Sequence, residues 1–426
     1  MISNPKLALR AVVLGLPALC GLTCGLAASS AQAADTLLMP IKVYGFLNAE
    51  VESVEAKGGT TPYHLRGRVT DGNSRIGITG GIDITGTTKA VWQLEASLNS
   101  FDQGGVNDQG QANTLTSRNS FLGIEDSRFG RIVVGNNDSA YRSLVGSGGG
   151  FGGNLGLSTL GLDLWNNTTA QLTGNSYSLF GRGESRMKNS IHVNTVEWNG
   201  LQAAASYGFD ETRSDGLSHN RASLAVKYAI GGFQLGLGFD QQQNTGVDID
   251  NLQNGFGFRT TSQDGANTRF VKAIASYTVQ ATGTYVGVGV EQGRYGFSQF
   301  VPPSGTQIYP LLVTGTMNQT GAMASIAQPI GNATLMASIG RLDKLKNAVV
   351  GNAADYDATQ YSLGAKYRFN GYLTAYAYAS KIKNHAQQSV NFGQNPLYSV
   401  NSGSANAYMS PGDSPQAAGV GLIASF

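Results

Sequence analysis

The sequence predicts an all-β protein, a transmembrane antiparallel up-and-down β-barrel of 16 strands. Three observations carry that expectation. Apolar and polar residues alternate with period two over stretches of about ten residues, the length a tilted strand needs to cross a bilayer. Strands of soluble sandwiches usually stop at about five or six. The connections between these stretches are short and long by turns, matching tight turns on one side of a membrane and long loops on the other. Finally, Gly reaches 58 residues, about twice the usual share, while charged residues fall to 13%, about half of it. Turns are plentiful and salt-bridged helices are not.

Taken in order, residues 1–33 read as a cleaved secretory signal peptide. Lys6 and Arg10 precede the apolar run "AVVLGLPALCGLTCGLAA", and Ala31-Gln32-Ala33 offers the small-x-small cleavage site. The run is long enough for a membrane anchor, but the cleavage site favours removal. Cys20 and Cys24 both fall inside this segment, so the expected mature chain, 34–426, has no thiol for a disulfide, a metal or a nucleophile. Loss of Lys6 and Arg10 takes the formal charge from +2 to zero, which gives nucleic acid no basic domain to bind. After position 33 no run of 18 apolar residues suggests a membrane helix.

The barrel, a single domain over 34–426, starts with a strand near 40–54, where Ile41, Val43, Leu47 and Val51 alternate with Lys42, Asn48, Glu50 and Glu52. Further strands are expected near 73–83, 88–101, 117–126 and 130–136, then 187–197, 200–210, 219–229 and 232–243. In "GFQLGLGFDQ", Phe233, Leu235, Leu237 and Phe239 oppose Gln234, Gly236, Gly238 and Asp240. The next group lies near 267–279, 283–296, 312–327 and 332–346, and the last near 357–369, 372–384 and 416–426. "QYSLGAKYRF" alternates cleanly, whereas in "YLTAYAYAS" either face could point outward. The chain ends on Phe426, with Leu422 and Val420 on the same face, so the last strand should pair with the first and close the sheet. In lipid an open edge would leave backbone amides unpaired.

Six stretches in order resemble the general diffusion porins of Gram-negative outer membranes. They are "IKVYGFLNAEVE", "SRIGITGGIDITGTTKAVWQLEASLN", "SRNSFLGIEDSRFGRIVVGN", "NSIHVNTVEWNGLQAAASYGF", "QYSLGAKYRFNGYLTAYAYAS" and the terminal Phe. The resemblance spans nearly the whole mature chain. It implies a bacterial outer-membrane channel for passive diffusion of small hydrophilic solutes, a homotrimer, and contact with outer-membrane lipid and lipopolysaccharide. It also implies that the barrel assembly machinery reads Phe426, although Ala424 stands where an aromatic is usual. A third external loop folded into the lumen is implied as well, and the longest connection, about 137–186, holds that place.

Ion sorting in such a channel depends on width and lining charge. By the family's pattern Arg75 and Arg186 line the constriction, Arg186 sharing strand parity with Lys188. Arg118 matches by position but falls on the parity of Leu122 and Ile124, which a bulge would repair. Asp138 and Asp163 are the acids of the loop, with Glu184 at its far end, and Asn136 stands where an Arg is common. A net positive constriction with mild anion preference follows. Arg66, Arg68 and Arg182 read equally well as solvated loop residues. Phe151, Trp165 and Tyr177 keep open a substrate-specific channel for a sugar or organic acid. No Gly-x-Ser-x-Gly motif supports an enzyme, and His64, His192, His219 and His385 lack metal-ligand spacing, so neither metal nor cofactor is expected.

Overall fold

The computed structural model describes residues 41–60, 62–70, 74–98, 118–146, 184–211, 217–248, 266–301, 311–349, 351–392, 397 and 410–426. The expected signal peptide lies outside the described residues. Sixteen strands cross the wall. The first five are β1 (Lys42–Lys57), β2 in two segments (Tyr63–Thr70 and Arg75–Asp83), β3 (Thr88–Ser97), β4 (Ser120–Asp126) and β5 (Gly130–Asp138). A short helix, α1 (Ala140–Val145), follows. Next come β6 (Arg186–Thr195), β7 (Leu201–Gly208), β8 (Arg221–Ile230), β9 (Phe233–Gln242) and β10 (Thr268–Thr278). The wall is completed by β11 (Tyr285–Val301), β12 (Leu311–Ile330), β13 (Ala333–Leu342), β14 (Ala358–Arg368), β15 (Leu373–Asn384) and β16 (Ser414–Ser425). Each strand pairs antiparallel with the next, and β16 returns to β1 from Phe46↔Ser425 to Lys57↔Ser414. The barrel is closed.

The short turns show how the sequence forces reversal. Between β6 and β7, Asn199 (φ 48°) and Gly200 (φ 82°) both adopt positive φ, as the tight hairpin turn of an Asn-Gly pair requires. Trp198 and Leu201 exchange backbone hydrogen bonds of 2.9 Å across it. At this end of the barrel Phe129, Trp198, Tyr372 and Phe426 are exposed, an aromatic belt where lipid meets water.

Two features differ from the sequence expectation. Tyr63–Thr70 is a strand, not a connection: it pairs with the upper half of β1 as Arg75–Asp83 pairs with the lower half. Flanking Gly58-Gly59 and Asp71-Gly72-Asn73 make it read as loop. The two segments are bridged by Ser74, whose Oγ accepts from Asn48 N (2.8 Å) and donates to Asn48 O (3.2 Å). Arg68 is therefore no loop residue; its Nε lies 2.7 Å from Glu52 Oε1 inside the barrel. The other surprise is α1, capped by Ser139, whose side chain accepts from Arg142 N.

Burial is inverted relative to a soluble protein. Leu122, Leu237, Leu363 and Val420 are about 60% exposed, while Lys272 and Asp240 are fully buried. Most exposed apolar residues face lipid and polar ones face inward, while an inner apolar cluster that includes Phe270, Ile274, Tyr295 and Met317 packs with Tyr141, Leu144 and Val145 of α1.

On that inner face one motif recurs three times: a Tyr lies over a Gly of the adjacent strand to reach a carboxylate on the strand beyond. Tyr376 crosses Gly421 to Glu50 (2.5 Å), Tyr378 crosses Gly419 to Glu52 (2.6 Å), and Tyr44 crosses Gly77 to Glu95 (2.9 Å). "YLTAYAYAS" is thereby resolved, with Tyr376 and Tyr378 in, Ala377 and Ala379 out, and Tyr372 in the aromatic belt at the strand's start. Two of these bridges span the closing strand β16. The last residue completes it: Phe426 N donates to Gly45 O (3.1 Å) and Gly45 N to Phe426 O (3.0 Å).

A Cβ at Gly421 would stand 2.3 Å from Tyr376 Cζ. Gly421→Val is thus expected to displace the tyrosine and cost about 1–3 kcal/mol. A lowered temperature of conversion from the folded to the unfolded gel form would show this. Gly371→Ala, whose added Cβ meets nothing within 4 Å, should leave that temperature unchanged.

Candidate functional site

One group of inner-wall charges gathers where β2 to β6 approach the long connections. Glu95 is the hub. It sits on β3 directly opposite Gly77, so no side chain separates it from Tyr44 on β1. Arg118 Nε lies 2.6 Å from Glu95 Oε1, and both groups are nearly buried. Arg75 Nε stands 4.0 Å from Glu95 Oε2, with its guanidinium 4.7 Å from the Phe46 ring.

Arg118 faces inward despite its parity. The β3–β4 ladder pairs Thr88 with Asp126 and Gln93 with Phe121. Arg118 N, however, donates to Glu95 O (3.1 Å), one residue off that register. The slip turns its side chain to the lumen. Asn136, which departs from the Arg common at this position, donates from Nδ2 to Arg118 O (2.7 Å) and fixes the slipped segment.

Asp138 forms a second hub beside the first. It ends β5 and pairs directly with Arg186, the first residue of β6. Arg186 Nε lies 3.3 Å from Asp138 Oδ1 and donates to Asn119 Oδ1 at 2.8 Å. Arg142 of α1 reaches the same Asp138 oxygen at 2.8 Å, and Asn119 Nδ2 donates to Oδ2 at 3.1 Å. Four guanidiniums, Arg75, Arg118, Arg142 and Arg186, thus share two carboxylates, Glu95 and Asp138. Arg75 is the most open of them, its side chain 35% exposed.

The structure brings Arg75, Arg118, Arg186 and Asp138 together. Lys188 stands apart. The β5–β6 register shifts between Gly135 and Asn137, and Asn189 takes φ 46°, so Lys188 sits exposed on a bulge that interrupts the parity used to place it. Asp163, Arg182 and the aromatics Phe151, Trp165 and Tyr177 lie outside the described residues. Arg66 is exposed on β2, its guanidinium over the Tyr63 ring.

Sequence reasoning missed Glu95 and Arg142. Glu95 had a usable signal, since it shares strand parity with Gln93 and opposes the lipid-facing Leu94. Arg142 had none, because its position depends on a helix seated against the wall. It also missed a deeper group. Lys272, fully buried, pairs with Glu184 and with Glu291 (3.1 Å), and Tyr141 of α1 donates its hydroxyl to Glu291. Burial and the Glu291 charge hold the Tyr141 phenol well above its ordinary pKa, so it remains a donor. The inner side of α1 is fastened further by Ala140 N to Ser206 Oγ and Tyr141 N to Ser223 Oγ, both 2.9 Å.

The family model described as Gram-negative porin matches residues 18–387. An outer membrane porin protein of Bordetella pertussis (strain Tohama I) is 23% identical over 374 residues, 80% of this chain and 86% of that protein. Among solved structures, an anion-selective porin from Comamonas acidovorans superposes with a TM-score of 0.66 at 17% identity, covering 91% of this chain and 99% of its own. The trimer form of OmpT from Vibrio cholerae gives a TM-score of 0.55 at 14% identity, covering 91% and 99%. At these identities the solved structures speak to the fold alone.

Glu95→Ala removes the carboxylate that compensates the buried Arg118. A loss of about 3–5 kcal/mol is expected, read as a lower denaturant midpoint of the protein refolded in detergent. Glu95→Gln, which keeps a hydrogen-bond acceptor for Tyr44 and Arg118, should lose less.

Proposed function

The chain belongs to the Gram-negative porin family, an outer-membrane diffusion channel rather than an enzyme, and on that premise we propose that it passes small hydrophilic solutes and ions with a mild preference for anions. The observation that carries the preference is the cluster of four guanidiniums sharing two carboxylates on the lumen wall. A patch of fixed positive charge on the lumen wall raises the local concentration of anions and lowers that of cations. Because Glu95 and Asp138 neutralise part of it, the bias is mild. Arg75 is the group a passing solute meets most openly, with Arg142 and Arg186 beside it.

Three associations belong to the same reading. The chain assembles as a homotrimer, as the trimer form of the Vibrio cholerae protein does. Phe426, with Leu422 and Val420 on its strand, serves as the signal for the barrel assembly machinery as well as the closing residue of the ladder. The outer leaflet of lipopolysaccharide meets the upper wall, where a groove of about 410 Å³ runs between Tyr361, Leu363 and Leu65 with Lys381 along it; a lysine suits an anionic headgroup.

Planar-bilayer recording of the refolded protein tests the channel reading. Arg75→Ala with Arg186→Ala is expected to lower the anion-to-cation permeability ratio about twofold or more, measured as a reversal potential across a salt gradient. An unchanged ratio would remove these arginines from the filter. In cells, deletion of Phe426 should reduce the amount of assembled barrel in the outer membrane, scored by surface labelling. Normal assembly would restrict Phe426 to the aromatic belt.

A further inference from the structure

The two ends of the third long connection are fastened to one point of the wall. At the leading end, α1 lays Tyr141 and Val145 onto Gly238 of β9, where a Cβ would meet Val145 Cγ2 at 2.4 Å and Tyr141 Cδ2 at 2.8 Å. At the trailing end, Glu184 is 1% exposed. Lys272 of β10 stands between them. Its ammonium pairs with Glu184, lies 3.1 Å from Glu291 Oε2, and sits 4.9 Å from the centre of the Tyr141 ring.

The consequence reaches the arginine cluster through Glu184. The Glu184 carbonyl accepts from Arg142 Nη1 at 2.5 Å, and Arg142 is the α1 residue that pairs with Asp138. Two residues on, Arg186 pairs with the same Asp138. Arg221 supports this segment from the wall, donating to Ser185 Oγ (2.7 Å) and Arg186 O (3.3 Å) while paired with the buried Asp240. The placement of two lumen guanidiniums thus hangs on a three-residue segment, Glu184–Arg186, whose buried end is compensated by one lysine.

We propose that Lys272 is a positioning residue of the ion filter: by holding Glu184 against the wall beside Tyr141, it sets where Arg142 and Arg186 stand in the lumen. The proposal rests on reading the arginine cluster as the filter. Without the lysine, Glu184 and Glu291 face each other as buried carboxylates, an arrangement that like-charge repulsion and desolvation both oppose. Glu184 then leaves for water, its carbonyl releases Arg142, and its carboxylate joins the lumen charge.

The test compares wild type, Lys272→Met, and Lys272→Met with Glu291→Gln, each refolded and recorded in planar bilayers. The double variant keeps the wild-type net charge, so a change in it reports position rather than the loss of a distant charge. Both variants are expected to lower the anion-to-cation permeability ratio about twofold, and to broaden open-channel current noise. Lys272→Arg is expected to restore much of the ratio. A folded double variant with wild-type ratio and noise would overturn the proposal. If the double variant does not fold, Tyr141→Phe, which keeps every charge, is judged by the same two readouts. A wild-type protein that prefers cations would refute the filter reading, while a difference between it and the double variant would still report what Lys272 positions.

Discussion

Closure of the hydrogen-bond ladder is the constraint on which the rest of the molecule depends. In hydrocarbon no water satisfies an unpaired amide, and each one costs several kcal/mol. The sheet therefore has to end where it began. β16 meets β1 along twelve residue pairs, and the final amide and carbonyl, those of Phe426, are matched by Gly45. The seam is also tied across its inner face. Gly419 and Gly421 leave room for Tyr378 and Tyr376 to reach over β16 and bond to Glu52 and Glu50 of β1. Small residues on the last strand are thus what allows a side-chain bridge across the closure.

Once the sheet is closed, its strand order fixes which groups share a level. β2 to β6 bring Arg75, Glu95, Arg118, Asp138 and Arg186 together although more than a hundred positions separate the first from the last. The carboxylates do two things there. They compensate guanidiniums that packing would otherwise leave buried and uncompensated, and on the proposed reading they cancel part of the charge that an ion experiences. If this cluster is the filter proposed above, stability and selectivity trade against each other at the same residues: an acid removed to strengthen the positive field also loosens the arginine it holds.

Much of this was legible in the sequence. Period-two alternation located the strands to within a few residues at most ends, because one lipid face and one polar face are imposed along every crossing. The terminal Phe426 announced a strand for the same reason. Legibility failed where backbone regularity fails. The bulge at Lys188–Asn189 and the slip at Arg118 both break the parity that assigns a side chain to a face. Tyr63–Thr70 hid between turn-forming residues, although it pairs with β1 as the lower half of β2 does. Arg142 and Lys272 were invisible for a different reason, and Glu184 was legible only as an acid at the far end of the loop. Their roles come from a short helix seated on the inner wall, a tertiary contact that leaves no periodic trace.

In the channel proposed here, ion preference arises from fixed positive charge on the lumen wall. The most direct test is the salt dependence of the wild-type reversal potential under a fixed ratio of potassium chloride across a planar bilayer. Screening shortens the reach of fixed charge from about 10 Å at 0.1 M to about 3 Å at 1 M. A potential of anion-selective sign is expected at low salt, shrinking toward zero as both solutions are concentrated. A potential of cation-selective sign, or one that does not change with salt, would contradict it.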